Sequence, residues 1–261
     1  MKVVILCGGK GTRIRGVNDD LPKPMIPVGN YPIIWHIMRS YAHHGFNEFV
    51  LCLGYKGPTI KDFFLNYRSQ ISDFTIDFAN GREVTFDKAH EKLDWKVTLA
   101  ETGEDTLTGS RIKRIEHYIG DDEEFMMTYG DGVCDIDVNA LIDYHKNHGK
   151  LMTVSGVRPP SRFGELDTND ESRIVEFNEK PQATGGRISG GFFVCNKEIF
   201  KYLDADRSDE TLEADPMRKI AADGQMMMYK HDGFWQCMDT FRDYALLNEL
   251  YEDGTAPWVK W

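Results

Sequence analysis

Long apolar runs are missing from this chain. No segment approaches the roughly 20 consecutive apolar residues that a helix needs to cross a bilayer. The amino terminus, MKVVILCGG, is apolar for too short a stretch, and broken too soon by glycine, to read as a secretion signal. Cysteine is scarce as well: Cys7, Cys52, Cys134, Cys195 and Cys237 are odd in number and contain no C-x-x-C pair. That excludes a disulfide framework and a zinc ribbon, and it predicts reduced, mostly buried thiols in a cytoplasmic protein. Positive charge is in short supply: 31 Lys and Arg stand against 42 Asp and Glu, a formal net charge of −11. A surface of that sign repels polyanions, so nucleic acid and membrane are excluded as partners. Any anionic ligand must be held by a local cluster of cations.

What is present is a rhythm. The apolar runs KVVILC, EFVLCL, EFMMTY, LMTVSGV and GGFFVC alternate with helical patterns such as YPIIWHIMRSYAHHG, TIKDFFLNY and VNALIDYHKNHG. Continuous apolar strands between amphipathic helices predict an α/β fold with a mostly parallel sheet covered on both faces. The 261 residues, 41% of them hydrophobic, suit one compact domain over 1–261. One region breaks the rhythm: DFTIDFANGREVTF alternates around Asn80-Gly81, a strong hairpin signal, and WKVTLAE follows. An inserted antiparallel β segment over about 72–100 is expected. Met226, Met227 and Met228 read as a buried strand, Trp35, His36 and Tyr41 as one side of a packed helix, and APWVKW as a packed tail. His145 and His148 form H-x-x-H without an acidic partner at useful spacing, which predicts a solvated helix face rather than zinc.

The glycine-rich stretch LCGGKGTR, residues 6–13, follows the first strand. It fails the P-loop pattern, because Gly11 follows Lys10 and Val4 stands where the first glycine belongs. It fits the dinucleotide pattern weakly, because Ile14 replaces the third glycine. What remains is a turn whose backbone N–H groups can meet a base or phosphate, with Thr12 and Arg13 adding a hydroxyl and a guanidinium. Prolines on both sides of Lys23 in LPKPMIP stiffen the backbone that carries a second cation. Taken alone, each motif is as compatible with an ordinary turn and a solvated cation as with an anion site.

Together they are more specific. GGKGTR followed after eight residues by PKPM, with TYGDG at 128–132, RFGELD at 162–167, EKP at 179–181, ISGGFFV at 188–194 and GFWQCMDTFRD at 233–243, resembles the sugar-1-phosphate nucleotidyltransferases. The likeness is greatest to their glucose-1-phosphate cytidylyltransferase branch. It implies a Rossmann-like nucleotidyltransferase fold and transfer of CMP from CTP to α-D-glucose 1-phosphate with Mg²⁺. It also implies a homo-oligomer with active sites near subunit interfaces. Carried onto matching positions, it implies Arg13, Lys23 and Asp131 as catalytic residues. Leu6, Gly8, Gly9, Gly11, Thr12, Arg13, Lys23, Thr108, Gly109 and Asp131 would then hold the nucleotide. Tyr129, Glu179, Lys180, Gly190 and Gly191 would hold the sugar phosphate, and Asp131 and Asp239 the metal. Arg111 takes no catalytic role.

Local readings stand beside these. Asp131 is also the Asp of an Asp-Gly turn, and Asp239 an N-cap for the last helix. Thr108 or Ser110 caps the helix that begins near 108. Ser110 and Ser189 stand where the family pattern has Gly and Asn, next to the expected base and sugar sites. Another nucleotide such as UTP or dTTP, another sugar or small phosphate acceptor, or a non-catalytic nucleotide-sugar binding module are the alternatives. A dehydrogenase would explain neither PKPM nor MDT.

Overall fold

The computed structural model describes residues 1–11, 20–87, 93–159, 165–168, 174–178 and 186–261. Its centre is a seven-stranded sheet. In chain order the elements that build the sheet and its layers are β1 (Val3–Leu6), α1 (Ile33–His43), β2 (Glu48–Leu53), α2 (Gly57–Leu65), β3 (Lys96–Glu101) and α3 (Thr108–Arg114). They continue with β4 (Glu124–Tyr129), β5 (Gly132–Cys134), α4 (Val138–His148), β6 (Met152–Val157) and β7 (Ile188–Asn196). Last come α5 (Asp215–Ala222), β8 (Met226–His231), β9 (Trp235–Cys237) and α6 (Phe241–Glu252). The strand order is β8-β6-β7-β4-β1-β2-β3, with β5 and β9 forming a separate two-stranded ladder. Only β7 runs against the other six strands. This is the mostly parallel α/β sheet the apolar runs predict.

The reason lies in two-sided burial. Val3 and Ile5 of β1 enter one core with α1, Leu51 and Met126, while Val4 and Leu6 enter the other with Val50, Cys52, Met127 and Ile112. A strand covered on both faces has no polar side, so it reads as an unbroken apolar run. Trp35, His36 and Tyr41 are buried along α1 as expected. The tail packs too: Trp258 is fully buried, stacks on Phe234 and donates from its indole N–H to His36 Nδ1. Four cysteines are buried and Cys237 is half-buried, all as free thiols. No described helix is long and apolar enough to cross a membrane.

Three local expectations change. Within 72–100 only Phe74–Asp77 and Glu83–Phe86 pair antiparallel, whereas β3 joins the main sheet parallel to β2. β3 alternates in sequence because it is an edge strand with one face half open. Met226, Met227 and Met228 do form a strand, but at the opposite edge, where Met227 and Met228 are exposed. The helix face is not simply solvated: His145 is buried and His148 half-buried, and both imidazoles meet the Thr153 hydroxyl at 2.7 Å. Burial, with help from His148 and Lys146, lowers the His145 pKa to about 4, so that ring is neutral at physiological pH.

Candidate active site

At the carboxyl ends of β1 and β4 lies a cavity of about 560 Å³, where open α/β sheets receive ligands. Leu6, Gly8, Gly9, Gly11, Lys23, Thr108, Tyr129, Asp131 and Asp239 all line it. Residues from five sequence neighbourhoods therefore meet at one mouth. Thr12, Arg13, Glu179 and Lys180 lie outside the described residues.

The local chain explains the meeting. PKPM folds into a short 3₁₀ turn, Lys23–Met25, closed by Met25 N–H to the Pro22 carbonyl at 2.8 Å and Ile26 N–H to the Lys23 carbonyl at 3.1 Å. The prolines fix φ on each side of Lys23, which points its side chain into the cavity floor. Asp131 leaves β4 through Gly130, whose N–H donates to the Leu6 carbonyl at 3.0 Å. Asp239 arrives two residues past β9. Because β9 pairs with β5, and Met238 N–H donates to the Asp131 carbonyl at 2.8 Å, the two acids are brought side by side.

Lys23 Nζ stands between them. It donates to Asp131 Oδ2 at 2.6 Å and to Asp239 Oδ1. The lysine side chain is 11% exposed and the carboxylates 31% and 32%, so all three share a partly dry environment in which charge pairing is strong. Burial by itself lowers the ammonium's pKa, but the charges of Asp131 and Asp239 and their hydrogen bonds outweigh it and hold Lys23 above the usual lysine value. Asp239 does not cap the last helix. Thr240 does, in a reciprocal capping box with Asp243, and Asp243 also accepts from the Asp239 N–H. The carboxylate of Asp239 instead accepts from Lys23 at the cavity.

The glycine loop is held from behind by Arg111. Its guanidinium donates to the carbonyls of Leu53 (2.8 Å), Gly103 (2.6 Å), Gly8 (3.1 Å) and Glu104 (3.1 Å) and to the Thr102 hydroxyl (2.9 Å). A Cβ on Gly8 would lie 2.2 Å from Arg111 Cζ, which is why glycine stands there. Sequence reasoning missed this role: a buried Arg that ties four carbonyls leaves no periodic signal. At the rim, exposed Lys10 pairs with Asp105 at 2.7 Å. Asp105 and Thr106, also in the lining, belong to the stretch ETGEDTLTGSR at 101–111 that leads into α3.

The far wall corrects the expectations for Thr108, Gly109 and Ser110. Neither Thr108 nor Ser110 is a helix cap. The first-turn N–H groups of Gly109 and Ser110 both donate to the Glu210 carbonyl, at 2.9 and 3.2 Å, so a distant main chain caps α3. Gly109 therefore offers no free N–H to a ligand, and it does not line the cavity. Ser110 is buried, accepts from Glu210 N–H at 3.1 Å and does not line the cavity. Thr108 does face the cavity. Its hydroxyl accepts from Leu212 N–H and donates to Glu213, whose other oxygen accepts from the Tyr129 hydroxyl. Burial, then the neighbouring Glu213 carboxylate, pushes the Tyr129 phenol well above its usual pKa, so it remains a donor.

Gly190 and Gly191 sit inside β7 rather than in the cavity wall. The Gly190 carbonyl accepts from the Trp235 indole at 2.7 Å. Gly191, at φ +78°, leaves space for the Tyr129 ring, whose Cδ2 would lie 2.5 Å from an added Cβ. Gly191→Ala is expected to destabilise the protein by about 2 kcal/mol, through left-handed backbone strain and displacement of that ring. Chemical denaturation would measure the loss.

Comparison with known proteins sets this geometry in context. The nucleotidyl transferase family model matches residues 2–254. A glucose-1-phosphate cytidylyltransferase of Salmonella typhimurium is 46% identical over 262 residues, with 100% of each chain covered. A Bacillus subtilis protein described as a probable glucose-1-phosphate cytidylyltransferase is 42% identical over 261 residues, again with 100% of each covered. Among solved structures, HddC from Yersinia pseudotuberculosis superposes with a TM-score of 0.69 at 24% identity, covering 96% of this chain and 99% of that one. That last likeness speaks for the fold.

Proposed function

The chain belongs to the nucleotidyl transferase family, and from that premise we propose that it transfers CMP from CTP to α-D-glucose 1-phosphate, giving CDP-glucose and pyrophosphate. The observation that carries the chemistry is the cluster of Lys23, Asp131 and Asp239 at one cavity mouth beside the glycine loop. The choice of CTP and glucose 1-phosphate rests on full-length relatives at 46% and 42% identity.

An oxygen of the sugar phosphate attacks the α-phosphorus of CTP in line, the α–β bridging P–O bond breaks, and pyrophosphate leaves. Two polyanions must approach, so the protein's work is to neutralise charge and align atoms. Lys23 stabilises charge gathering on the transferring phosphoryl group. Arg13 is assigned to the β- and γ-phosphates. Gly8, Gly9 and Gly11 admit the nucleotide close to main chain. Glu179 and Lys180 are assigned to the hexose and its phosphate, and Tyr129 shapes that side of the cavity.

Asp131 and Asp239 fit Mg²⁺: an all-oxygen pair of carboxylates suits a hard cation that takes its remaining ligands from phosphate and water. When bound, the ion supplies charge neutralisation to the triphosphate. Asp131→Asn and Asp239→Asn are each expected to lower turnover by at least about 10²-fold, with circular dichroism unchanged. Full turnover in either variant would overturn the metal assignment.

Assembly as a homo-oligomer in the cytoplasm extends this reading. Support comes from exposed apolar residues on and beside the hairpin, Leu65, Phe74, Phe78 and Val84. The experiment that tests the reaction is pyrophosphate release with Mg²⁺ across CTP, UTP, dTTP, ATP and GTP against several sugar 1-phosphates. The expected maximum in kcat/KM is at CTP with glucose 1-phosphate. A maximum elsewhere would keep the chemistry and overturn the cytidylyl assignment, and silence everywhere would favour a binding module.

A further inference from the structure

The β5/β9 ladder that carries the two acids at one end carries a second cluster at the other. Cys134 closes β5 opposite Trp235, Asp135 follows it, and His231 ends β8 just before the turn into β9. One ligand atom from each of these residues, Cys134 Sγ, a carboxylate oxygen of Asp135 and a ring nitrogen of His231, lies within 4.8 Å of the other two. No other group of three or more His, Cys, Asp or Glu residues meets that description among the described residues.

The arrangement is not that of an ordinary ion pair. His231 Nε2 approaches Asp135 Oδ1 to 2.9 Å, yet that oxygen is fully shielded and has no aligned hydrogen-bond partner. The same nitrogen is turned toward the Phe234 carbonyl, at 3.3 Å. A nitrogen and a carboxylate oxygen thus converge beside a buried thiol without a proton in line between them. A buried, unsatisfied acceptor of this kind calls for a cation. Gly233 keeps the near side clear, since a Cβ there would come within 2.4 Å of Asp135 Oδ1 and 2.9 Å of His231 Nε2.

We propose that Cys134, Asp135 and His231 bind a thiophilic divalent cation, zinc by the donor set, which ties the far end of the β5/β9 ladder to the end of β8. One sulfur, one imidazole nitrogen and one carboxylate oxygen suit Zn²⁺, whereas Mg²⁺ and Ca²⁺ call for oxygen alone. Tetrahedral zinc spaces such ligand atoms by about 3.3–3.7 Å, so the three side chains need only small adjustments. Binding releases the Cys134 proton: the S–H bond breaks, the S–Zn bond forms and the proton passes to solvent. Burial pushes that thiol up to about 12, while the N–H groups of Ile136 and Asp135 oppose the rise and are placed to stabilise sulfur's negative charge. Lys260 of the tail donates to the Asp135 carbonyl at 2.5 Å, holding the same turn from outside. The site is distinct from the carboxylate pair: it lies at the opposite end of the ladder, at the rung that pairs Cys134 with Trp235, and its role is mechanical.

The test uses the full chain. Zinc content is measured after dialysis against metal-free buffer, and Co²⁺ is titrated into the zinc-stripped protein while thiolate-to-cobalt charge-transfer absorption is followed. The expected result is one zinc per chain and a band that saturates at one equivalent. Cys134→Ser and His231→Gln should each abolish the band and weaken zinc binding by at least about 100-fold. Gly233→Ala, which keeps all three donors but fills the approach, should weaken it as well, while Cys237→Ser should leave the band in place. Absence of a thiolate band at stoichiometric Co²⁺, or a band that survives Cys134→Ser or vanishes with Cys237→Ser, would overturn the proposal. Should Cys134→Ser fail to fold, His231→Gln and Gly233→Ala decide the matter, and retention of full zinc affinity in both would overturn it.

Discussion

Lys23→Met is expected to lower kcat by about 10³-fold, the scale on which removal of one preorganised charge at a transferring group is felt. The fold should survive, because Lys23 sits at a cavity floor and its 3₁₀ turn is fixed by the flanking prolines. Stability should still fall, by about 1–3 kcal/mol, because Asp131 and Asp239 lose the ammonium that both accept from. That corresponds to a Tm drop of about 2–4 °C per kcal/mol in a chain of this size. Millimolar Mg²⁺ should restore the Tm of the variant without restoring its turnover. This separates the lysine's structural charge balance from its action on phosphate.

The same residue sets a pH dependence whose direction is fixed. Lys23 has a folded pKa above the ordinary lysine value. The stabilisation it brings is therefore fully present below about pH 10.4, the unfolded value, and lost as pH rises through the folded value. Thermal unfolding from pH 8 to 11 should show a wild-type loss above about pH 10.4 that Lys23→Met does not share. Parallel curves for the two proteins would place the stabilising charge elsewhere.

Arg111→Ala should be the most damaging change for stability, about 3–5 kcal/mol, because it strands four main-chain carbonyls and a threonine hydroxyl around an almost fully buried side chain. The wild-type guanidinium bears the cost of burial, which lowers its pKa, and remains charged because its partners face it from several directions. Lysine should not rescue the site, since one ammonium cannot reach both the Gly8 and Gly103 carbonyls in the geometry of a planar fork. Urea unfolding of Arg111→Ala and Arg111→Lys would measure both. A loss below about 1 kcal/mol would mean that water replaces the guanidinium at little cost.

What could be read before the structure divides along physical lines. The inner strands were legible because a strand buried on both faces has only one kind of side chain to offer; KVVILC, EFVLCL and EFMMTY all became neighbours in the sheet. The edges were not. KVTLAE alternates and Met226–Met228 does not, yet both lie at open edges, since apolar character alone does not say which strand ends a sheet. Lys23 between prolines and Asp131 after an apolar strand both face the cavity, but local chain geometry left each open to an ordinary turn, and it was the resemblance of the combined motifs that singled them out. Contacts set by partners far along the chain were hidden. Gly109, which the resemblance places at the nucleotide, gives its N–H to the Glu210 carbonyl 101 residues on. The cap of α6 was a near miss of one residue: Thr240 and Asp243 form the box, while Asp239 beside them accepts from Lys23 at the cavity.

The spacing of the central cluster carries a consequence for biosynthesis. Lys23 and Asp131 are 108 residues apart, and Lys23 and Asp239 are 216 apart. A nascent chain exposes the glycine loop well before either acid, and Asp239 after Asp131. At synthesis rates of about 5–20 residues per second, the loop waits on the order of ten seconds or more before Asp239 is made. Throughout that interval the growing chain can display the glycine-rich turn but cannot assemble the cluster of Lys23, Asp131 and Asp239, which forms only once Asp239 has been made. With the proposed site roles, the order of translation thus withholds the reaction from any fragment that ends before the β5/β9 ladder is paired.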